Sequence, residues 1–509
     1  MPREALQFVP CNGALAGLHL LTRPEIARVI LTGGTETALA ILEQTPTLKL
    51  LAETGGKNAT IVSGLSDRDL VVKDVLHGAF SHAGQKCSAT SLLLLEEEVF
   101  ESAEFREQFV DAVSSLRVGS AWDLSTKMGP LIRPPSGDLL KGLKELETGE
   151  SWAVMPSQLG DNPCSYSPGV KWNTTAGNFT HMTELFGPVL GVMKFRRLGE
   201  AIQMVNATGF GLTSGLESLD DREHKIWRES IRAGNLYINR PTTGAIVLRQ
   251  PFGGMGKSAF GPGAKAGGPN YVATLMSFGD SETESVADAS SQKPESNVLL
   301  SFWEKLDRSS RLLLDLPGST ASHISQLRSA IISYDRFAKE EILIEHDHFQ
   351  LVGQDNIRRY LPASPLRIRV HPDDQPYNIA ARCSAAVASN CRATISHPSS
   401  VHEATIAALE KLTYEWAGRI EFLEESDQEL IHSIESGQVV RLRYAAASRV
   451  PETVRRSANR HQVFIADQRV SMLGRIELLW YVMEQSISFD YHRYGNLGPR
   501  SSEKRAETL

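Results

Sequence analysis

A chain of 509 residues with 41% hydrophobic and 22% charged side chains has an ordinary globular composition and room for two to four domains. A net charge of -7 argues against a nucleic-acid surface, and no apolar run approaches the ~18 residues of a membrane span. The first residues carry no apolar signal core, and five scattered cysteines form neither a disulfide framework nor a zinc pattern, so a reducing cytoplasm is the expected setting.

Short strands (6–9, 28–31, 48–52) and helices (14–20, 35–44) alternate over the first fifty residues. That alternation predicts a parallel sheet with crossover helices. Five elements are too few for a complete dinucleotide-binding domain, so the chain is expected to begin inside one. A second α/β unit follows from 59 to 239, with a strand at 59–62, a helix at 69–82 and a strand at 90–95. Residues 240–268 are rich in Gly and Pro and predict loops. The acidic, Ser-rich stretch 279–297 predicts a flexible linker. Beyond it, strands at 367–370, 392–395, 419–423, 439–444 and 463–465 alternate with helical patterns such as 401–416. They predict a second open α/β sheet, without G-x-G-x-x-G or G-x-x-x-x-G-K-[ST]. The fold class is α/β.

Two segments carry chemistry. Cys87 lies in Gly84-Gln85-Lys86-Cys87-Ser88, a small-residue loop after a helix. A thiolate attacks carbonyls well, and a helix terminus or a nearby cation would lower its pKa. The alternative is an inert buried thiol. Glu53 opens Glu53-Thr54-Gly55-Gly56-Lys57-Asn58 at the end of an apolar strand. A partly buried carboxylate suits a general base, whereas a capping or surface glutamate is the plainer reading. Gly33 and Gly34 form a turn between a strand and a helix, where backbone N–H groups can hold a pyrophosphate, although such turns are common. Cys11, Cys164, Cys383 and Cys391 lack a comparable context and read as structural. His346-Asp347-His348 has no further ligand cluster and reads as a solvated polar segment, with no metal expected.

The Glu53 and Cys87 segments, in this order, resemble the aldehyde dehydrogenase superfamily. Glu184-Leu185-Phe186-Gly187-Pro188-Val189 is a third match. The resemblance implies that Glu184 binds the nicotinamide ribose and that Phe186 lies near the nicotinamide. It also implies a dinucleotide site using Gly33 and Gly34, usually with Ser where this chain has Gly34. Thr243-Gly244-Ala245-Ile246-Val247 resembles the aldehyde anchor loop of glutamate-semialdehyde (pyrroline-5-carboxylate) dehydrogenases. There the Gly244 and Ala245 N–H groups would hold the substrate α-carboxylate, with the Ser88 hydroxyl assisting. The run 261–269 is similar to the same subfamily. Gly474-Arg475-Ile476-Glu477 and Ser488-Phe489-Asp490-Tyr491 resemble the end of long proline utilisation A proteins, bifunctional flavoproteins with a non-catalytic C-terminal domain.

The resemblance implies a remnant of the NAD-binding domain at 1–53, a catalytic thiol domain at 54–240, and an anchor loop with return segment at 241–278. The linker at 279–297 and an aldehyde dehydrogenase-like non-catalytic domain at 298–509 complete the division. NAD is the implied cofactor, with FAD confined to an upstream domain absent from this chain. The pattern departs from the family in lacking the front half of the NAD domain, with its oxyanion asparagine, ribose-contacting lysine and substrate-side arginine. A fragment, one part of a split protein or a decaying gene is therefore expected, paired with itself or with a chain supplying that half. The implied reaction is oxidation of L-glutamate γ-semialdehyde to L-glutamate. Its rivals are a non-catalytic assembly partner and a dehydrogenase for another aldehyde.

Overall fold

Leu92, Leu93, Leu94 and Leu95 are all completely buried in the strand Thr90–Glu96, yet they serve two cores. Side chains alternate faces along a strand. Leu93 and Leu95 pack with the helices Arg68–Phe80 and Ala103–Ser114. Leu92 and Leu94 pack with Leu198–Ala207 and Asp221–Ser230 on the other face. A continuous leucine run is thus what a parallel strand covered on both sides requires.

This strand lies within a nine-stranded sheet in the computed structural model, which describes residues 2–279, 292–308 and 311–505. The order is Gln354–Pro362, Val482–Asp490, Asn235–Ile238, Thr213–Glu217, Asn58–Val62, Thr90–Glu96, Val189–Phe195, Gly169–Trp172 and Ser151–Val154. All neighbours are parallel except the outermost pair at each end. Two of the nine strands come from beyond residue 298, so the C-terminal region completes the sheet that carries Cys87.

A separate three-stranded sheet joins Val29–Thr32, Leu50–Glu53 and Ala259–Phe260. The first two are parallel, with Thr32 beside Glu53. The helix Thr35–Gln44 covers them through Ala38 and Leu42. The expected strand at 6–9 is absent: Phe8 is 91% exposed, and the segment has no neighbour to supply a hydrogen-bonded ladder. The helix expected at 69–82 ends at Phe80, because His82 and Ala83 both take left-handed backbone angles. Most of the expected linker at 279–297 lies outside the described residues.

The C-terminal region holds five parallel strands in the order Ile420–Glu424, Ala393–His397, Leu366–Arg369, Arg441–Arg443 and Phe464–Ala466. All five expected strands are present within a residue or two. The helix Pro376–Ala388 is almost wholly buried against them. Beneath lies Glu477, fully buried, which accepts three hydrogen bonds from the Arg443 guanidinium and one from the Tyr481 hydroxyl at 2.9 Å. His346 is tied to the Glu341 carbonyl at 2.8 Å and stacks on His348. Among the described residues no helix is long and apolar enough to cross a membrane, and no cluster of potential metal ligands occurs.

Candidate active site

Three consecutive left-handed residues, His82, Ala83 and Gly84, turn the chain out of its helix and into the Cys87 loop. Gly84 has no substitute here, since an added Cβ would lie 2.3 Å from the Gly187 carbonyl oxygen. The loop is then fastened from below by Asn58, a buried residue at the start of its strand. The Asn58 amide donates to the Cys87 carbonyl at 2.7 Å and the Ala89 carbonyl at 2.9 Å, and its oxygen accepts from Thr213 N–H at 3.0 Å. One buried side chain thereby fixes the backbone on both sides of Ser88. The Ser88 carbonyl accepts from the Thr242 hydroxyl at 3.0 Å.

Glu53 ends the strand Leu50–Glu53, and its carboxylate accepts from Gly254 N–H at 2.8 Å. Gly55 and Gly56 continue from it through a gap too narrow for any side chain. A Cβ on Gly55 would sit 1.8 Å from Glu184 Oε2, and one on Gly56 would sit 2.7 Å from the Cys87 carbonyl oxygen. Glu184 accepts from Gly56 N–H at 2.8 Å. The paired glycines therefore bring Glu53, Cys87 and Glu184 onto one short stretch of chain.

Burial raises the pKa of Glu53, opposed by the nearby Lys265 ammonium and by the Gly254 hydrogen bond. Burial likewise raises that of Glu184. The Cys87 thiol is also pushed up, by burial first and then by the Glu53 and Glu184 charges. The expected lowering by a helix terminus or cation is thus corrected: two carboxylates, not a cation, face the sulfur. Cys11 is exposed, contrary to its structural reading, and Cys164 is half-buried. Cys383 and Cys391 are buried, with thiols pushed up to about 12 and about 11 by desolvation.

The outlying candidates surround this centre. Gly34 caps the helix Thr35–Gln44, and a Cβ there would meet nothing within 4 Å, so the helix N-terminus is open. Phe186 holds a left-handed backbone and is partly exposed, its carbonyl accepting from Gln85 at 3.3 Å. Gly244 and Ala245 lie in an exposed loop that Gln250 braces: its oxygen accepts from Ile246 N–H at 2.8 Å while its amide donates to Ser488 at 3.2 Å. An open helix N-terminus and a carboxylate beside the thiol fit part of a dinucleotide.

Three further residues of the site carry no local sign of their role. Asn58 lies within the Glu53 segment, and a buried amide needs partners. Lys57 is fully buried, its ammonium without a hydrogen bond and pushed down to about 7 by burial, with the Glu184 charge opposing. Lys265 was hidden among glycines.

The aldehyde dehydrogenase family model matches residues 1–278. A 1-pyrroline-5-carboxylate dehydrogenase of Bacillus subtilis (strain 168) is 33% identical over 287 residues, which are 54% of this chain and 55% of that protein. A bifunctional protein PutA of Salmonella typhimurium is 34% identical over 292 residues, 54% of this chain and 22% of that protein. A solved proline utilisation A structure from Corynebacterium freiburgense matches with a TM-score of 0.74 and 36% identity, covering 94% of this chain and 43% of that one. The chain thus spans about half the length of the curated dehydrogenases it matches.

Proposed function

The chain belongs to the aldehyde dehydrogenase family, and on that premise we propose that it oxidises L-glutamate γ-semialdehyde to L-glutamate. The observation that carries the reading is the convergence of Cys87, Glu53 and Glu184 on the Gly55-Gly56 pair. The named activities of the similar proteins support the choice of substrate.

In this reading the Cys87 sulfur bonds to the aldehyde carbon. Because the resting thiol is pushed up, its proton must leave as the bond forms, and it passes to the carbonyl oxygen to give a hemithioacetal. When bound, a nicotinamide dinucleotide would supply the hydride acceptor, and Cys87 would then carry the acyl group as a thioester. The Gly33–Gly34 turn would hold its pyrophosphate through the Gly34 N–H, since the Gly33 N–H is already given to the Glu53 carbonyl at 3.2 Å; Glu184 would hold its ribose hydroxyls, and Phe186 would lie near its ring. Glu53 then takes a proton from the water that cleaves the thioester. Gly244 and Ala245 N–H groups would receive the α-carboxylate, with Ser88 assisting; among the described residues nothing accepts from either N–H.

The test is NADH formation by residues 1–509 with glutamate semialdehyde and with aldehydes lacking the α-carboxylate. Turnover that prefers the semialdehyde and disappears in Cys87→Ser is expected. Equal turnover of all aldehydes would overturn the substrate, and turnover surviving Cys87→Ser would overturn the nucleophile. One observation favours a non-catalytic assembly role: among the described residues the strand Val29–Thr32 is paired on one side only, with Ile30 56% exposed. No turnover, with Cys87 still unreactive, would support that second reading.

A further inference from the structure

Lys265 is 1% exposed, in a loop rich in glycine and proline. Its backbone N–H donates to Glu484 at 3.0 Å, and its ammonium donates to the Gly253 carbonyl. The same glycine faces Glu53. A Cβ on Gly253 would lie 2.7 Å from Glu53 Oε1 and 3.3 Å from Lys265 Cδ. Only a glycine therefore separates a half-buried carboxylate from a buried ammonium. Burial pushes Glu53 up and Lys265 down, and each charge opposes the other's shift. The other titratable groups facing the pair are the Cys87 thiol and Tyr271, which sense Glu53, and Glu484, which faces Lys265. Glu484 is itself held by Asn270 at 2.8 Å and faces Arg358.

We propose that Lys265 is a positioning residue for Glu53: its ammonium, seated on the Gly253 carbonyl, keeps the Glu53 carboxylate ionised on Gly254 N–H and ready to accept a proton. The inference rests on the reading of Cys87 as nucleophile and Glu53 as base. In thioester cleavage the water oxygen bonds to the acyl carbon and one water proton goes to Glu53. The carbon–sulfur bond breaks with its electron pair on sulfur, leaving a Cys87 thiolate and a carboxylic acid. A Glu53 already protonated by burial would block that step. The cation that prevents this comes from one loop, and its counter-charge comes from the strand Val482–Asp490, more than two hundred residues further on.

The test uses the full chain and no dinucleotide. p-Nitrophenyl acetate acetylates the nucleophile, and the decay of acetyl-Cys87 is followed by peptide mass spectrometry from about pH 5 to about pH 9. In the unaltered chain decay rises with pH through the ionisation of Glu53. Lys265→Met should move that midpoint up by about one pH unit or more and leave the alkaline rate no lower, since a more basic carboxylate is the better acceptor. A profile lowered throughout with its midpoint unmoved would mean a merely structural lysine and would overturn the proposal. Should the methionine variant not fold, Lys265→Ala takes its place. Added n-propylammonium should return its midpoint towards that of the unaltered chain, and failure to do so counts against the proposal. If no acetyl forms on Cys87, the nucleophile reading fails. The midpoint of Glu53 is then read from the pH dependence of iodoacetamide alkylation at Cys87, and an equal midpoint with and without Lys265 overturns the inference on its own.

Discussion

Cys87 rests in the environment of a thiol held neutral, and Glu53 is part of the cause. Removing that charge should therefore separate two effects that are usually lost together. Glu53→Gln should make Cys87 easier to ionise and faster to alkylate with iodoacetamide near neutral pH, while slowing release of any acyl group. Peptide mapping of the alkylation rate checks this, and a slower Cys87 in the glutamine variant would contradict it. Asn58 offers a second test. Asn58→Ala would strand three partners on two segments, the Cys87 and Ala89 carbonyls and the Thr213 N–H, at about 1–3 kcal/mol for each unsatisfied group. A fall in thermal stability together with loss of Cys87 acylation is expected, measured by calorimetry and mass spectrometry on the same sample.

At the scale of elements, the sequence was most legible where burial and pattern agree. The leucine run of Thr90–Glu96 and the five parallel strands of the C-terminal sheet announce themselves through apolar side chains. The strand Val482–Asp490 does not, because Glu484, Gln485, Ser486 and Ser488 are all buried and polar. Each has a specific distant partner, such as Gln485 with Ala233 at 2.7 Å and Ser486 with Pro251 at 2.6 Å. No local pattern can reveal a polar core that is satisfied only across the fold. The same holds for the site: Cys87 and Glu53 stood out through their motifs, whereas Lys265 acts through a tertiary contact. Apolar neighbours alone mispredicted the strand at 6–9, which lacks a pairing partner. The buried Arg443–Glu477 pair supplies the prediction at this scale. Glu477→Ala leaves the guanidinium uncompensated and should cost about 3–5 kcal/mol, read as the free-energy change in denaturant unfolding. A loss within the range of a surface substitution would contradict the assignment.

Across the whole molecule, carboxylates raised by burial cluster where the C-terminal strands meet the catalytic sheet. Asp74 is pushed up to about 7, by burial and by neighbouring Asp490, and Glu217 is raised well above its ordinary value. A carboxylic acid whose folded pKa lies above its unfolded one stabilises the fold at low pH, and that contribution is lost as pH rises through the folded value. Asp74→Asn should thus raise the melting temperature at about pH 8 by a few degrees and change it little at about pH 5. An equal effect at both would show that Asp74 does not titrate in this window. The two C-terminal strands also cover the edge of Asn235–Ile238 and brace the Gly244–Ala245 loop through Gln250. A chain ending at residue 278 should expose that edge and aggregate, which size-exclusion chromatography would register. A monodisperse, cooperatively melting fragment would contradict this.

The most direct test of the account follows a single acyl group. Unaltered and Glu53→Gln chains are mixed briefly with p-nitrophenyl acetate, quenched over time and mapped by peptide mass spectrometry. The account predicts acetyl on Cys87 in both, decaying in the unaltered chain and persisting in the glutamine variant. Acetyl confined to the exposed Cys11, or decay from Cys87 at the same rate in both chains, would contradict it.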